Sequence, residues 1–339
     1  MSKILIINTG GTIGMSKTEC GYMPNPRVFR EHLNKMPELS EGKLCDWEIH
    51  DMDPLLDSSN MMVDDWNRIG AVIADKYNDF DGFVVLHGTD TMAYTASALS
   101  FMLENLGKPV IITGSQIPIC EIRSDGKDNI IAAMMIASDG IVNEVCIYFR
   151  GELLRGNRAI KYSADGFMAF KSPNFPNLAE AGISIDYNEP VLLKKPLKPF
   201  EFQRLVRIPI GVIKVFPGIQ FELFNNIMTK SLKGVVIETF GAGNIPSDAT
   251  ALLPIIEEAF KNGTVVTVCT QCPQGTVLLG TYETSNALKK AGAVSGKDMT
   301  TEAAIAKLYY LFSKEYDSET ICRLMETNLR GEVDSVSQG

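Results

Sequence analysis

Short, wholly apolar runs recur through the first half of the chain and alternate with longer stretches of helical period. Lys3–Asn8 (with Ile4-Leu5-Ile6-Ile7 at its centre), Trp47–Met52, Phe83–Leu86, Val110–Thr113 and Val145–Phe149 predict strands. Apart from Trp47–Met52, which alternates at first, their apolar cores suit strands buried on both faces of a parallel sheet. Between them, Pro26–Met36 predicts a helix with Asn25 as its cap and Pro26 in its first turn. Asp64–Tyr77 predicts an amphipathic helix with Trp66, Ile69, Val72 and Ile73 on one face, Thr91–Leu106 a helix closed by Gly107, and Asn129–Ser138 a further helix. Gly156-Asn157, between apolar pairs, predicts a hairpin turn that folds an antiparallel edge back towards the sheet.

From Asn188 to Pro209 the pattern breaks: Pro190, Pro196, Pro199 and Pro209, with Lys194 and Lys195, read as a connecting segment. Alternation then resumes, with strands at Val212–Val215, Val235–Ile237 and Val265–Val268 and helices at Ala249–Asn262, Thr301–Leu311 and Glu319–Thr327. The expected fold is α/β in two domains. Residues 1–189 form the larger, a mainly parallel, doubly wound sheet with a hairpin; 190–210 form a linker; 211–339 form a smaller parallel α/β domain.

Composition narrows the function. The 339 residues have room for two cores, and 45% hydrophobic with 22% charged residues is ordinary for a soluble protein. A net charge of −9 disfavours nucleic acid or an anionic membrane as the main partner. The start runs from Met1-Ser2-Lys3 straight into strand-like residues, with no secretory signal core, so the expectation is a cytoplasmic protein. Seven scattered cysteines predict reduced thiols rather than a disulfide framework. Cys269-Thr270-Gln271-Cys272 supplies too few ligands for a structural zinc site and reads as buried thiols. The three histidines are dispersed, and His87 reads as a packed residue at a strand end.

Candidate chemistry gathers where strands end. Thr9-Gly10-Gly11-Thr12 follows the first strand and His87-Gly88-Thr89-Asp90-Thr91 follows the third. In an open α/β sheet, ligands bind beyond the carboxyl ends of the strands. The glycines allow tight turns and close backbone approach, and each turn presents a threonine hydroxyl, a weak nucleophile that needs a partner to draw off its proton. The glycine spacing fits neither a dinucleotide fingerprint nor a P-loop. Tyr22, in a loop with Gly21 and Pro24, is near enough in sequence to fold over Thr12. Asp90 could simply cap a helix; with Thr89 it could instead hold an ammonium and activate a water. Asp57-Ser58-Ser59 reads either as a polar turn or as donors for a substrate carboxylate. Lys161, were it beside Thr89, would be desolvated and turned towards base function.

These residues resemble the two signatures of bacterial-type L-asparaginases, carried here by Thr9-Gly10-Gly11-Thr12-Ile13-Gly14 and His87-Gly88-Thr89-Asp90-Thr91. The resemblance extends through Leu56-Asp57-Ser58-Ser59, Ile112-Thr113-Gly114-Ser115-Gln116, Arg155-Gly156-Asn157-Arg158 with Lys161, and Gly241-Ala242-Gly243-Asn244, nearly the whole chain. Asp57-Ser58-Ser59 is similar to the cytoplasmic type I branch. The resemblance implies hydrolysis of L-asparagine to L-aspartate and ammonia, with no metal or organic cofactor. It implies Thr12 as nucleophile with Tyr22 polarising it, and Thr89, Asp90 and Lys161 as a second catalytic group. Gly11, Asp57, Ser58, Ser59, Gly88, Thr89, Asp90 and Ser115 would line the substrate site. Ser58 and Asp90 would hold the α-carboxylate and α-ammonium, and Ser115 would lie near the leaving amide. It also implies a homo-oligomer, a dimer or dimer of dimers, in which Asn244 completes a neighbour's site. The acidic companion of the tyrosine in secreted relatives has no assigned counterpart here, Glu283 being the one nearby.

Some type I relatives have a second asparagine site with an arginine before the Gly-x-Gly-Asn turn. Glu238 stands there, while Thr270, Gln271 and Cys272 match the rest of that possible effector site. A carboxylate repels a ligand carboxylate, so no activation by substrate is expected. Two other readings share the motifs: a dual asparaginase/glutaminase, and a non-catalytic amino-acid sensor. Both threonines, Tyr22 and Lys161 argue against the sensor, since binding alone needs no such activation.

Overall fold

In the computed structural model, residues 1–19, 21–40, 43–246, 251–280 and 283–334 are described. The chain divides into two compact units, one from Met1 to Gln203 and one from Arg204 onward. In the first, β1 (Lys3–Gly10) is followed by the small hairpin β2 (Met15–Thr18) and β3 (Gly21–Pro24), then α1 (Pro26–Asn34), β4 (Asp46–Leu56), α2 (Val63–Asp75), β5 (Gly82–Leu86), α3 (Met92–Met102) and β6 (Leu103–Glu104). Next come β7 (Val110–Thr113), α4 (Gly126–Asp139), β8 (Val145–Phe149), β9 (Glu152–Arg155), β10 (Ile160–Lys161), β11 (Phe170–Lys171), β12 (Ala179–Ala181), β13 (Ile185–Tyr187) and β14 (Glu201–Phe202).

Eight strands form the main sheet, in the order β13-β12-β9-β8-β7-β5-β1-β4. Strands β4, β1, β5, β7 and β8 run parallel, and β9, β12 and β13 add an antiparallel edge. Every residue of β5, β7 and β8 is buried, as expected of strands with helices on both faces. One face packs Ile4, Ile6, Val84, Leu86 and Ile111 against Phe29 and Leu33 of α1 and Ile130, Ala133, Met134 and Ala137 of α4. Asn25 caps α1 as expected, its side chain accepting from the Val28 amide.

Two local expectations are corrected. The hairpin turns at Arg150-Gly151, both at positive φ (48° and 95°), where Phe149 pairs with Glu152. Gly156 and Asn157 lie instead in a 3-10 turn, Gly156–Arg158. Gly156 is there for close approach: a Cβ on it would lie 2.8 Å from the Val145 carbonyl oxygen and 3.1 Å from Ala96 Cβ. The helix α3 ends at Met102 rather than Leu106, because Leu103–Glu104 leaves it to pair with Glu201–Phe202. That pairing lies within 190–203, a stretch that packs on the first unit. Leu193 N–H also donates to the Glu144 carboxylate at 2.9 Å.

The second unit contains β15 (Ile210–Lys214), β16 (Gly234–Thr239), α5 (Leu252–Lys261), β17 (Val265–Thr270), α6 (Glu283–Lys290), β18 (Val294–Ser295), α7 (Thr301–Ser313) and α8 (Ser318–Met325). Its four strands are parallel in the order β15-β16-β17-β18. Val235, Ile237, Val266 and Val268 pack against Ile256 and Ala259 of α5. The predicted helix start at Ala249 lies outside the described residues. The fold is therefore mixed α/β, with a large, mainly parallel sheet carrying a hairpin and a smaller parallel sheet.

Candidate active site

The loops after β1, β4 and β5 leave the carboxyl ends of adjacent strands and touch one another. Gly11, at φ 83°, donates its N–H to the Leu56 carbonyl at 3.2 Å. A Cβ on Gly11 would lie 2.4 Å from the Gly88 nitrogen, and a Cβ on Gly88 would lie 2.5 Å from Ser58 Oγ. Only glycine permits either approach. Thr9 Oγ1 donates to the Leu86 carbonyl and Thr91 Oγ1 to the Ser58 carbonyl, both at 2.8 Å. The loops carrying Thr12, Ser58 and Thr89 are thus pinned together. Thr12 opens a 3-10 turn, Thr12–Gly14, and is half-buried. Its hydroxyl makes no hydrogen bond among the described residues.

Lys161 enters from β10. The preceding turn is anchored by Arg155, whose Nε donates to Glu144 at 2.5 Å in a buried ion pair, while its Nη2 reaches the Val191 carbonyl. The Arg155 and Arg158 guanidinium carbons lie 4.3 and 5.0 Å from the centre of the Phe175 ring. From this base Lys161 Nζ donates to Thr89 Oγ1 at 3.0 Å and to Asp90 Oδ1 at 2.6 Å. The carboxylate of Asp90 therefore faces the lysine instead of capping α3, whose first residue is preceded by Thr91. Thr89 is buried and Asp90 is exposed.

The other predicted residues divide. Ser58 is buried against Gly88. Asp57 accepts from the Ser59 amide at 3.1 Å, a polar turn, and both are exposed. Ser115, in the loop just after β7, is buried and donates to the Ile117 carbonyl at 2.5 Å. Tyr22 lies on exposed β3, and its hydroxyl donates to Glu121 at 2.7 Å; no hydrogen bond joins it to Thr12 among the described residues. This bond to Glu121 raises the phenol above its ordinary pKa. The Glu283 side chain lies outside the described residues.

His87 is fully buried. Its Nδ1 donates to the Gly88 carbonyl at 2.7 Å, since a carbonyl can only accept. Its Nε2 then accepts from Thr95 Oγ1 at 2.8 Å, and Thr95 in turn accepts from Trp66 Nε1 at 3.0 Å. Burial lowers its pKa to about 4, so the ring is neutral and structural, as expected from sequence.

In the second unit, Asn244 sits on the turn after β16, its amide donating to the Phe240 carbonyl at 2.8 Å. Glu238, Thr270, Gln271 and Cys272 cluster at the carboxyl ends of the second sheet. Glu238 Oε1 accepts from Thr301 Oγ1 at 2.7 Å, and its Oε2 lies 3.7 Å from Lys214 Nζ. Gln271 Nε2 donates to the Glu238 carbonyl at 2.9 Å, and the Cys272 amide to Thr270 Oγ1 at 3.1 Å. Cys269 is buried, which raises its thiol to about 12, but Cys272 is exposed, so the reading of this pair as buried thiols holds for one of the two. The six described cysteines are all free thiols.

Sequence reasoning missed three residues. Glu121, the partner of Tyr22, is 99 positions away and carries no motif. Gln116 and Asp125 form a network behind Thr89. Thr89 Oγ1 donates to Gln116 Oε1 at 3.2 Å, and the buried Asp125 accepts from the Gln116 amide at 3.1 and 3.2 Å. The Gly114-Ser115-Gln116 turn was visible in the sequence, but nothing local aims Gln116 at Thr89.

Comparison with known proteins agrees with this geometry. Residues 3–192 match the family model described as asparaginase, N-terminal, and residues 209–325 match the glutaminase/asparaginase C-terminal domain. The chain is 47% identical over 338 residues to L-asparaginase 1 of Escherichia coli, covering 97% of each. The crystal structure of L-asparaginase I from Vibrio cholerae superposes with a TM-score of 0.92 at 45% identity, covering 98% of this chain and 99% of that one. The thermostable L-asparaginase from Thermococcus kodakarensis superposes with a TM-score of 0.90 at 32% identity, with the same coverage. A family model matching most of the chain, and relatives of this similarity along its length, place it plainly: this chain belongs to the asparaginase family.

Proposed function

We propose that this chain hydrolyses the side-chain amide of L-asparagine, releasing ammonia and L-aspartate, with Thr12 as nucleophile. What supports this most is the contact of Gly11 with Gly88 and of Gly88 with Ser58, which gathers two threonine turns and a buried serine in one crevice. Breaking an unactivated amide requires a nucleophile, a proton for the leaving amine and donors for the oxyanion. Thr12 Oγ1 attacks the carboxamide carbon; the C–N bond breaks, ammonia leaves with an added proton, and water cleaves the resulting ester. Lys161, bonded to Thr89 and Asp90, supplies charge and protons beside the reacting atoms. Ser58 and Asp90 take the α-carboxylate and α-ammonium, Ser115 borders the leaving amide, and Gly11 and Gly88 line the pocket. Tyr22 polarises Thr12 on release from Glu121. The active form is a homo-oligomer in which Asn244 of one copy completes the site of another, and it works in the cytoplasm without a cofactor.

A dual activity is the second reading, favoured by the match of residues 209–325 to a domain model named for both glutaminase and asparaginase. Ammonia release by the purified chain from L-asparagine, L-glutamine and D-asparagine tests both. Release from L-asparagine is expected; none from it overturns the assignment, and comparable release from L-glutamine establishes the dual reading.

A further inference from the structure

We infer that Gln116 is a positioning residue that holds the Thr89 hydroxyl proton away from Lys161. The side-chain amide of Gln116 has one orientation available. Its Nε2 donates to the Ala164 carbonyl at 3.3 Å and to the Gly166 carbonyl at 3.0 Å. Turned over, the amide would set its oxygen against two carbonyl oxygens and lose both bonds. Oε1 is thereby aimed at Thr89 Oγ1, 3.2 Å away. A carboxamide oxygen only accepts, so the single hydroxyl proton of Thr89 points at Gln116. Lys161 Nζ, 3.0 Å from Thr89 on another side, meets the lone pairs and donates to them.

The backbone fixes the same arrangement from below. The buried Asp125 carboxylate accepts from the amides of Gln116 and Ile117 and from Asn129 Nδ2. With Gln116 present, Thr89 and Lys161 rest as acceptor and donor in one direction. Without its oxygen the hydroxyl is free to turn its proton towards the lysine, where two hydrogens oppose each other. Gln116 closes the Gly114-Ser115-Gln116 turn, and it need not touch the substrate to act.

Two variants separate proton placement from the loop tie. Gln116→Met removes both the acceptor and the bonds to Ala164 and Gly166. Gln116→Glu keeps an acceptor oxygen for Thr89; its second oxygen donates to the Gly166 carbonyl when the carboxyl is protonated and is set against the Ala164 and Gly166 carbonyls when it is ionised. With asparagine as substrate, an arm that rests on the proposed function, Gln116→Met is expected to lower kcat about tenfold or more with KM within about threefold, as loss of an aligned proton partner does. Gln116→Glu is expected to recover most of that loss at acid pH, where its carboxyl is protonated and can donate to the Gly166 carbonyl, and to lose the recovery as it ionises. Equal impairment of both variants at every pH, or a loss confined to KM, overturns the inference and leaves a structural tie. Neutron diffraction from deuterated crystals of the unaltered protein reads the proton directly and does not depend on turnover. A deuteron on Thr89 Oγ1 directed at Gln116 Oε1 is expected; one directed at Lys161 Nζ overturns the inference even if the chain hydrolyses asparagine, and an inactive chain with the expected deuteron overturns only the functional assignment.

Discussion

Gly11 and Gly88 meet backbone to backbone, so closely that a Cβ on the first would fall 2.4 Å from the nitrogen of the second. Neither loop can retreat, because Gly11 is tied to the Leu56 carbonyl and Thr91 to the Ser58 carbonyl. Gly11→Ala must both adopt φ near 83° and displace the Gly88 backbone. A cost of about 3 kcal/mol or more is expected, together with loss of turnover. Urea unfolding beside an ammonia assay checks it; an alanine variant of normal stability and activity would show that the loops part easily.

Thr12→Ala should abolish turnover and leave the fold intact, since the hydroxyl makes no hydrogen bond among the described residues. Removal of an essential nucleophile commonly costs several orders of magnitude in rate, about 6 kcal/mol or more. Steady-state kinetics on the purified variant decides the matter, and near-normal hydrolysis would exclude Thr12 as the nucleophile.

Lys161→Met keeps the stem of the side chain and removes the charge that faces Thr89 and Asp90 at 3.0 and 2.6 Å. The expected outcome is a sharp fall in kcat. Should only KM rise, the lysine binds substrate and takes no part in proton handling.

The folded state holds His87 neutral, with a pKa of about 4, whereas an unfolded chain takes up the proton near 6.5. Its contribution is fully present above the unfolded value and is lost as pH falls from there to about 4. The slope is about 1.4 kcal/mol per pH unit, roughly 3 kcal/mol across the window. Denaturant titrations between these limits should show the decline, and His87→Gln should flatten it. An equal slope in the variant would assign the pH dependence to other groups.

Saturation by asparagine should be hyperbolic, with a Hill coefficient of about 1, because a site without differential affinity for two states cannot shift their populations. Glu238 offers a carboxylate where a ligand carboxylate would need a cation. The nearby Lys214 lies 3.7 Å from Glu238, so its charge is directed there. Rates over a wide asparagine range test this. A sigmoidal curve that becomes hyperbolic in a Thr270 or Cys272 variant would demonstrate a working effector site.

Sequence alone determined what is local. The buried strands announce themselves because a strand covered on both faces must be apolar throughout, and Asn25-Pro26 marks a helix start through capping and a preset φ. The glycine turns at Gly10-Gly11 and Gly88 are legible for the same reason: steric freedom belongs to the residue. Tertiary structure decided the rest. Whether Gly156 makes a turn or a close approach depends on Val145 and Ala96 lying above it, and α3 stops at Met102 because a strand from residues 201–202 is there to pair with its continuation. The pairings of Tyr22 with Glu121, Lys161 with Thr89 and Gln116 with Thr89 span 99, 72 and 27 positions. Each arises from the order in which strands assemble, with β1 between β4 and β5 and β7 beyond, and strand order is set by packing of the whole sheet, not by any segment's own preference.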